Sequence, residues 1–327
     1  MFTPATFGMA MLMMITSTVC WGSWANTYKL TKGYRFELFY WDYAIGIVVI
    51  SLVLALTMGS TGGSDSFLAN IGTADGSNIA LALVGGFIFN IANLLLVAAI
   101  EMAGLAIAFP LAIGIALVEG VVLSYVLQPK GDPVLLSIGV GMAILAIIAD
   151  GKAYGSLTAG SSAVSRKSIA TCVVSGLLMG AFAPFVTRAL TAGHPLTAYS
   201  IAVFFTLGAF LCCFVVNVYF MKNPLVGEPL DFSGYFKARP ADHLLGVLGG
   251  MVWGTGTVFN FVAASFVGVA ISYAVGQAAP MVAALWGVFV WKEFRGANAT
   301  ARGYLVAMFG FYLLALFVIA RAYNTAV

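Results

Sequence analysis

The stretch GLAIAFPLAIGIALVEG at residues 104–120 and, 164 residues further on, GVAISYAVGQAAPMVAA at residues 268–284 carry one pattern twice. Each has a small residue at every fourth position. These are Gly104, Ala108, Ala112, Ala116 and Gly120 in the first, and Gly268, Ser272, Gly276, Pro280 and Ala284 in the second. In lipid the hydrophobic effect gives little drive between helices, and small residues at this spacing let two backbones approach closely. Both stretches are read as membrane helices, at equivalent positions on a seam between two halves. The same offset, without a gap, brings Gly85-Gly86 onto Gly249-Gly250, Ala99 onto Ala263 and Ala106-Ile107 onto Ala270-Ile271. Further out, Ser17, Gly22 and Trp24 correspond to Ser175, Gly180 and Phe182. A weak internal repeat of this kind is what a duplicated transporter shows.

The whole chain suits a lipid surrounding. Of its 327 residues 61% are hydrophobic and only 8% are charged, against about a quarter charged in a soluble domain. A span needs about 20 mostly apolar residues. Ten are expected, near 7–26, 39–58, 79–100, 103–127, 133–150, 169–190, 196–221, 244–265, 267–291 and 302–321. The fold class is therefore an all-α integral membrane protein. Five spans per half is an odd number, so the second half is inverted. Residues 1–151 form the first five-helix repeat, 152–167 a cytoplasmic connecting loop and 168–327 the second repeat. Lys and Arg favour cytoplasmic loops. Twelve of the 15 fall in the loops after spans 1, 3, 5, 7 and 9, leaving only Lys130, Arg188 and Arg321 on the other side. Both termini are accordingly expected outside. The first apolar stretch has no basic region before it, so it is expected to stay in the membrane as span 1.

Several functions are excluded. No basic run suggests nucleic acid. Cys20, Cys172, Cys212 and Cys213 lie in apolar segments without metal-ligand spacing, and His194 and His243 are far apart, so no metal or cofactor is expected. Residues 160–168 (GSSAVSRKS) lack the Gly before Lys of a phosphate loop and follow no strand. A membrane-embedded enzyme would need a cluster of acids or histidines near one interface, and none is found.

Polar residues deep in a span are functional candidates. Glu119 is read as the one ionisable group well inside a span, about 12 Å along the helix from the end of span 4. It is the candidate proton-coupling carboxylate, against the alternative of an acid snorkelling to the interface. Asn90 and Asn93 share a face of span 3; Trp253, Thr257 and Asn260 form a stripe on span 8, where Thr257 is the repeat partner of Asn93; Tyr273 and Gln277 follow on span 9. Amides and a phenol offer donors and acceptors to a neutral polar solute, or serve as interhelical glue. Trp21, on a stripe with Ser17, Trp24 and Tyr28, can stack on a flat or sugar ring, although tryptophans also form interfacial belts. Asp42 is expected to pair with Lys29 or Lys32, and is the second choice for proton coupling. The cavity holding these groups is expected between the halves, walled by unbroken helices of spans 1, 3, 4, 6, 8 and 9.

Ten spans, the five-plus-five repeat and a first span ending in WGSWANTYK (residues 21–29) resemble the drug/metabolite transporter superfamily. The Trp21–Lys29 stretch, Trp41-Asp42-Tyr43 and the span 4 pattern are similar to its ureide permease and glucose/ribose porter branch. The resemblance covers nearly the whole chain. It implies proton-coupled uptake of a small polar solute, of ureide or nucleobase type in one branch. The alternatives are a sugar of glucose, ribose or rhamnose type, or export of a metabolite or drug by the same fold. Short loops suggest a bacterial inner membrane. The expected partners are the solute, protons and lipid, with the protein a monomer or weak homodimer.

Overall fold

A computed structural model describes residues 1–61, 66–103, 105–157, 165–225 and 227–324. Among them, ten helical stretches are long and apolar enough to cross a membrane. They are Phe7–Lys29, Phe36–Ser60, Gly76–Met102, Pro110–Leu127, Pro133–Gly155, Arg166–Thr191, Ala198–Lys222, Pro240–Val267, Val269–Val290 and Ala299–Tyr323, called spans 1 to 10 below. Without water to bond free backbone groups, a helix is the form that satisfies them within one segment. Several starts are set by capping side chains. Thr6 accepts from the Met9 amide, Asp132 from those of Val134 and Leu135, and Thr197 from that of Ser200. Span 5 runs to Gly155, five residues beyond its expected end, which moves Asp150 from a helix terminus into the helix.

Close crossings position the spans. On span 8, a methyl at Gly250 would overlap the Tyr43 carbonyl oxygen of span 2, and one at Gly46 the Val247 oxygen of span 8. The same reciprocal contact joins span 3 to span 7, where Gly86 faces the Phe205 carbonyl and Gly208 that of Leu83. Gly86 and Gly250 are the residues that coincide at offset 164. The remaining contacts also come in pairs: span 1 lies on span 8 and span 6 on span 3, while span 9 lies on span 1 and span 4 on span 6. Spans 1, 2, 8 and 9 thus make one bundle and spans 3, 4, 6 and 7 another. Spans 2 and 7, and spans 4 and 9, touch between the bundles, and spans 5 and 10 pack together beside them.

Two expectations need correction. The small-residue stripes of spans 4 and 9 do not chiefly face each other. A methyl at Gly176 of span 6 would lie 2.6 Å from the Ala112 oxygen, and one at Gly22 of span 1 would lie 2.5 Å from the Ala279 oxygen. Gly176 and Gly180 allow span 4 a closer approach than the bulk of Tyr273 on span 9 does. Spans 4 and 9 meet where Gly120 faces the Tyr273 ring; Gly104 lies outside the described residues. Nor are the cavity helices unbroken. Span 6 is interrupted at Phe182 just before Pro184, and span 9 at Gln277–Ala278 just before Pro280, since proline removes a backbone donor. Span 1 is interrupted at Trp24, where the side chains of Asn26 and Thr27 bond the carbonyls of Ser23 and Trp24 and compete with the helix ladder.

Candidate functional site

Between the bundles lies a cavity of about 1470 Å³. Its floor is aromatic. Trp253 of span 8 stacks on Phe89 of span 3, with ring centroids 4.9 Å apart, and on Trp21 of span 1 at 6.0 Å. Phe182, at the span 6 break, meets Phe89 edge-on at 5.6 Å and Tyr273 at 5.7 Å. The rings are held by hydrogen bonds behind them. Trp21 Nε1 donates to Thr257 Oγ1 at 3.1 Å, and Tyr273 Oη donates to the Met179 carbonyl at 3.2 Å. Asn93, one turn from Phe89, donates Nδ2 to the Tyr40 hydroxyl at 3.0 Å, which leaves its amide oxygen for a ligand. Gln277 joins the wall at the span 9 break.

The cavity opens at the end that carries Lys29, Glu101, Lys152 and Glu293. At this mouth Lys29 pairs with Glu293 Oε1 and lies over the Trp291 ring at 5.2 Å, while Tyr154 donates to Glu293 Oε2 at 3.1 Å. Lys152 sits over the Tyr304 ring at 5.4 Å. The opposite end is sealed by bonds between loops and helix ends. Tyr199 donates to the Phe2 carbonyl at 3.0 Å, Asn78 to those of Gly193 and His194 at 2.9 and 3.0 Å, and Lys130 to that of Phe266 at 3.2 Å. Burial lowers the pKa of the Lys130 ammonium.

The structure therefore brings Trp21, Asn93, Trp253, Thr257, Tyr273 and Gln277 together on one cavity. It leaves the other candidates off it. Asn90 is wholly buried, accepting from Tyr40 at 2.6 Å, and Asn260 exchanges bonds with Ser272 that tie span 8 to span 9. Glu119 lies against Gly180 of span 6, and its Oε2 is buried without a partner. Asp42 pairs with neither Lys29 nor Lys32. It accepts from Tyr34 at 2.9 Å and Tyr235 at 2.6 Å, with His243 Nδ1 also at 2.9 Å, because span 8 places His243 beside it. Burial and then the Asp42 charge push the Tyr34 phenol well up, so it stays a donor. Sequence reasoning missed Phe89 and Asp150. The offset that pairs Asn93 with Thr257 also pairs Phe89 with Trp253, and would have found the first.

Among the described residues, ten helices able to cross a membrane surround this cavity. Together with the likenesses that follow, they make the chain an integral membrane transporter for small metabolites. The chain belongs to the sugar transport protein family, whose model matches residues 66–320. It is similar to ureide permease 1 of Arabidopsis thaliana, 23% identical over 386 aligned positions that cover 98% of each chain. It is also similar to ureide permease 4 of the same plant, 24% identical over 384 positions and 94% of each chain. A protein of known crystal structure shares the fold, with a TM-score of 0.61 at 16% identity over 95% of this chain and 98% of the other.

Proposed function

We propose that this transporter takes up a small, flat, polar solute of ureide or nucleobase type, coupled to protons, across a bacterial inner membrane. The observation that carries the reading is the floor, where stacked Trp253, Phe89 and Trp21 lie beside Asn93, Thr257 and Gln277. A planar amide-bearing ring meets an apolar face there and finds hydrogen-bonding groups at its edge. Sugars also stack on aromatic rings, and the family's description supports a sugar as the second reading. The excess of Lys and Arg at the open end supports a cytoplasm-facing cavity and outward termini. The paired contacts support two inverted repeats, residues 1–151 and 168–327. Glu119, with an unpartnered buried oxygen near the sealed end, is the carboxylate proposed to take a proton from outside.

A thermal-shift screen of the purified protein against ureides, nucleobases and sugars tests the substrate. A ligand at about 100 times its Kd stabilises by about 2.7 kcal/mol. The expected ligand is a ureide or nucleobase, and Trp253→Ala abolishes its shift. Stabilisation by sugars alone overturns this reading in favour of the second. Counterflow in proteoliposomes then separates uptake from export.

A further inference from the structure

Asp150 is the one feature of the cavity that neither its aromatic floor nor its charged mouth explains. It sits on span 5, five residues before the helix ends, or about 7.5 Å along the axis. It belongs to the cavity wall, yet it is only 2% exposed, and its Oδ1 is buried without a hydrogen-bond partner. Among the described residues no cation lies within ion-pair distance of it. The charged and titratable groups around it are otherwise engaged. On its own helix, Lys152 lies over Tyr304 of span 10 and Tyr154 donates to Glu293; across the mouth, Lys29 takes Glu293 as its partner. From span 10, packed along span 5, the Tyr312 phenol lies within electrostatic reach, and its own hydroxyl is buried and unbonded. Span 4, on the other flank, carries Glu119 towards the opposite end, where its side chain lies against Gly180.

Asp242 makes a useful contrast. It is as little exposed, at 3%, although it lies in the first turn of span 8, and Arg239 bonds both of its oxygens at 2.8 and 2.6 Å. An ionised carboxylate taken from water without such a partner carries a cost far above that of the neutral acid, and ionisable groups inside membrane proteins mark proton and ion pathways. A divalent ion such as Ca²⁺ would gather several oxygen ligands. No group of three or more metal-binding side chains exists among the described residues. A proton needs only the one carboxyl.

We infer that Asp150 is a protonation site of the cavity, holding its proton while it stays buried as seen here and giving it up when water from the open mouth reaches the carboxyl. In that step the carboxyl O–H bond breaks, the proton passes to cavity water, and a carboxylate remains. The inference rests on the proton-coupled reading above and adds a release site on the mouth side. It is tested without a known solute. The full chain, purified in detergent, is treated with dicyclohexylcarbodiimide, an apolar reagent that adds to protonated carboxyls, and the modified residues are mapped by mass spectrometry across pH. Asp150 is modified and the modification falls as pH rises, while Asp242 stays unmodified. Failure to label Asp150, or equal labelling of Asp150 and Asp242, overturns the inference. The infrared band of protonated carboxyls in the parent shrinks in Asp150→Asn and persists in Asp242→Asn; an unchanged band in Asp150→Asn also overturns it. If no ureide, nucleobase or sugar stabilises the protein, the proposed substrate reading fails, and the labelling still decides the state of Asp150.

Discussion

Replacing Gly276 by alanine adds one methyl group behind the cavity floor. That carbon would press on the benzo edge of the Trp21 indole, overlapping Cζ3 and lying 3.1 Å from Cε3, with Asn260 Nδ2 at 3.2 Å on its other side. Asn260 is held to span 9 by its bonds with Ser272, so the indole yields. Overpacking of this kind costs about 1–3 kcal/mol, and removing a helical glycine returns up to about 1 kcal/mol. The net loss of stability is therefore about 0–3 kcal/mol, and binding is the sharper readout. A displaced indole loses its bond to Thr257, about 0.5–1.5 kcal/mol, and its stack on Trp253, a similar amount. Together these weaken the solute identified by the thermal-shift screen by about 1–3 kcal/mol, or about 5- to 150-fold in Kd. Isothermal titration of parent and variant measures this directly. Gly114→Ala is the control, since a methyl there meets nothing within 4 Å. Trp21→Phe shortens the opposing ring, so combining it with Gly276→Ala gives a coupling energy of about 0.5–3 kcal/mol. A Gly276→Ala protein that binds as tightly as the Gly114→Ala control, or strict additivity with Trp21→Phe, refutes the reasoning.

Other outcomes follow from the same geometry. Single cysteines at residues 30–33 and 233–237 are labelled only from the cytoplasmic side, and one at Gly72 only from outside; the reverse pattern inverts the proposed orientation. Gly86→Leu and Gly250→Leu each lower the unfolding temperature, with a cost at or above the ~1–3 kcal/mol of ordinary overpacking, because the obstacle is a carbonyl of a neighbouring helix rather than a flexible side chain. Parent-like melting of either variant would deny the crossing it tests. Glu119→Gln abolishes solute accumulation driven by a proton gradient in proteoliposomes, and full accumulation by that variant removes Glu119 from the coupling role.

Hydropathy made the ten spans legible because lipid imposes one rule on every residue that crosses it. The offset of 164 also marked two of the glycines that set the crossings, Gly86 and Gly250. Side-chain roles were harder to read. Asn90 and Asn93 stand one turn apart with the same chemistry, yet Asn90 is consumed by Tyr40 and Cys213 while Asn93 reaches the cavity. Only the rotation of span 3 against spans 2 and 7 separates them, and no local pattern encodes that rotation. Asp150 was hidden by a boundary error of five residues. The helix breaks were legible in principle, through Pro184 and Pro280, but spans of ordinary length concealed them. The stripes of spans 4 and 9 announced close packing without naming a partner, and Gly176 and Gly180 on span 6 supplied one.

The backbone crossings bear on which parts of the chain can travel together. Span 2 is locked to span 8, and span 3 to span 7, through glycines that leave no room for slippage. Each lock joins a helix from before residue 151 to one from after residue 168. The division between the two bundles is therefore not the division of the chain at residues 152–167. The bundle of spans 1, 2, 8 and 9 and that of spans 3, 4, 6 and 7 each take helices from both halves of the chain. Neither half holds a complete bundle on its own, and any opening of the sealed end would separate units that the chain enters, leaves and enters again.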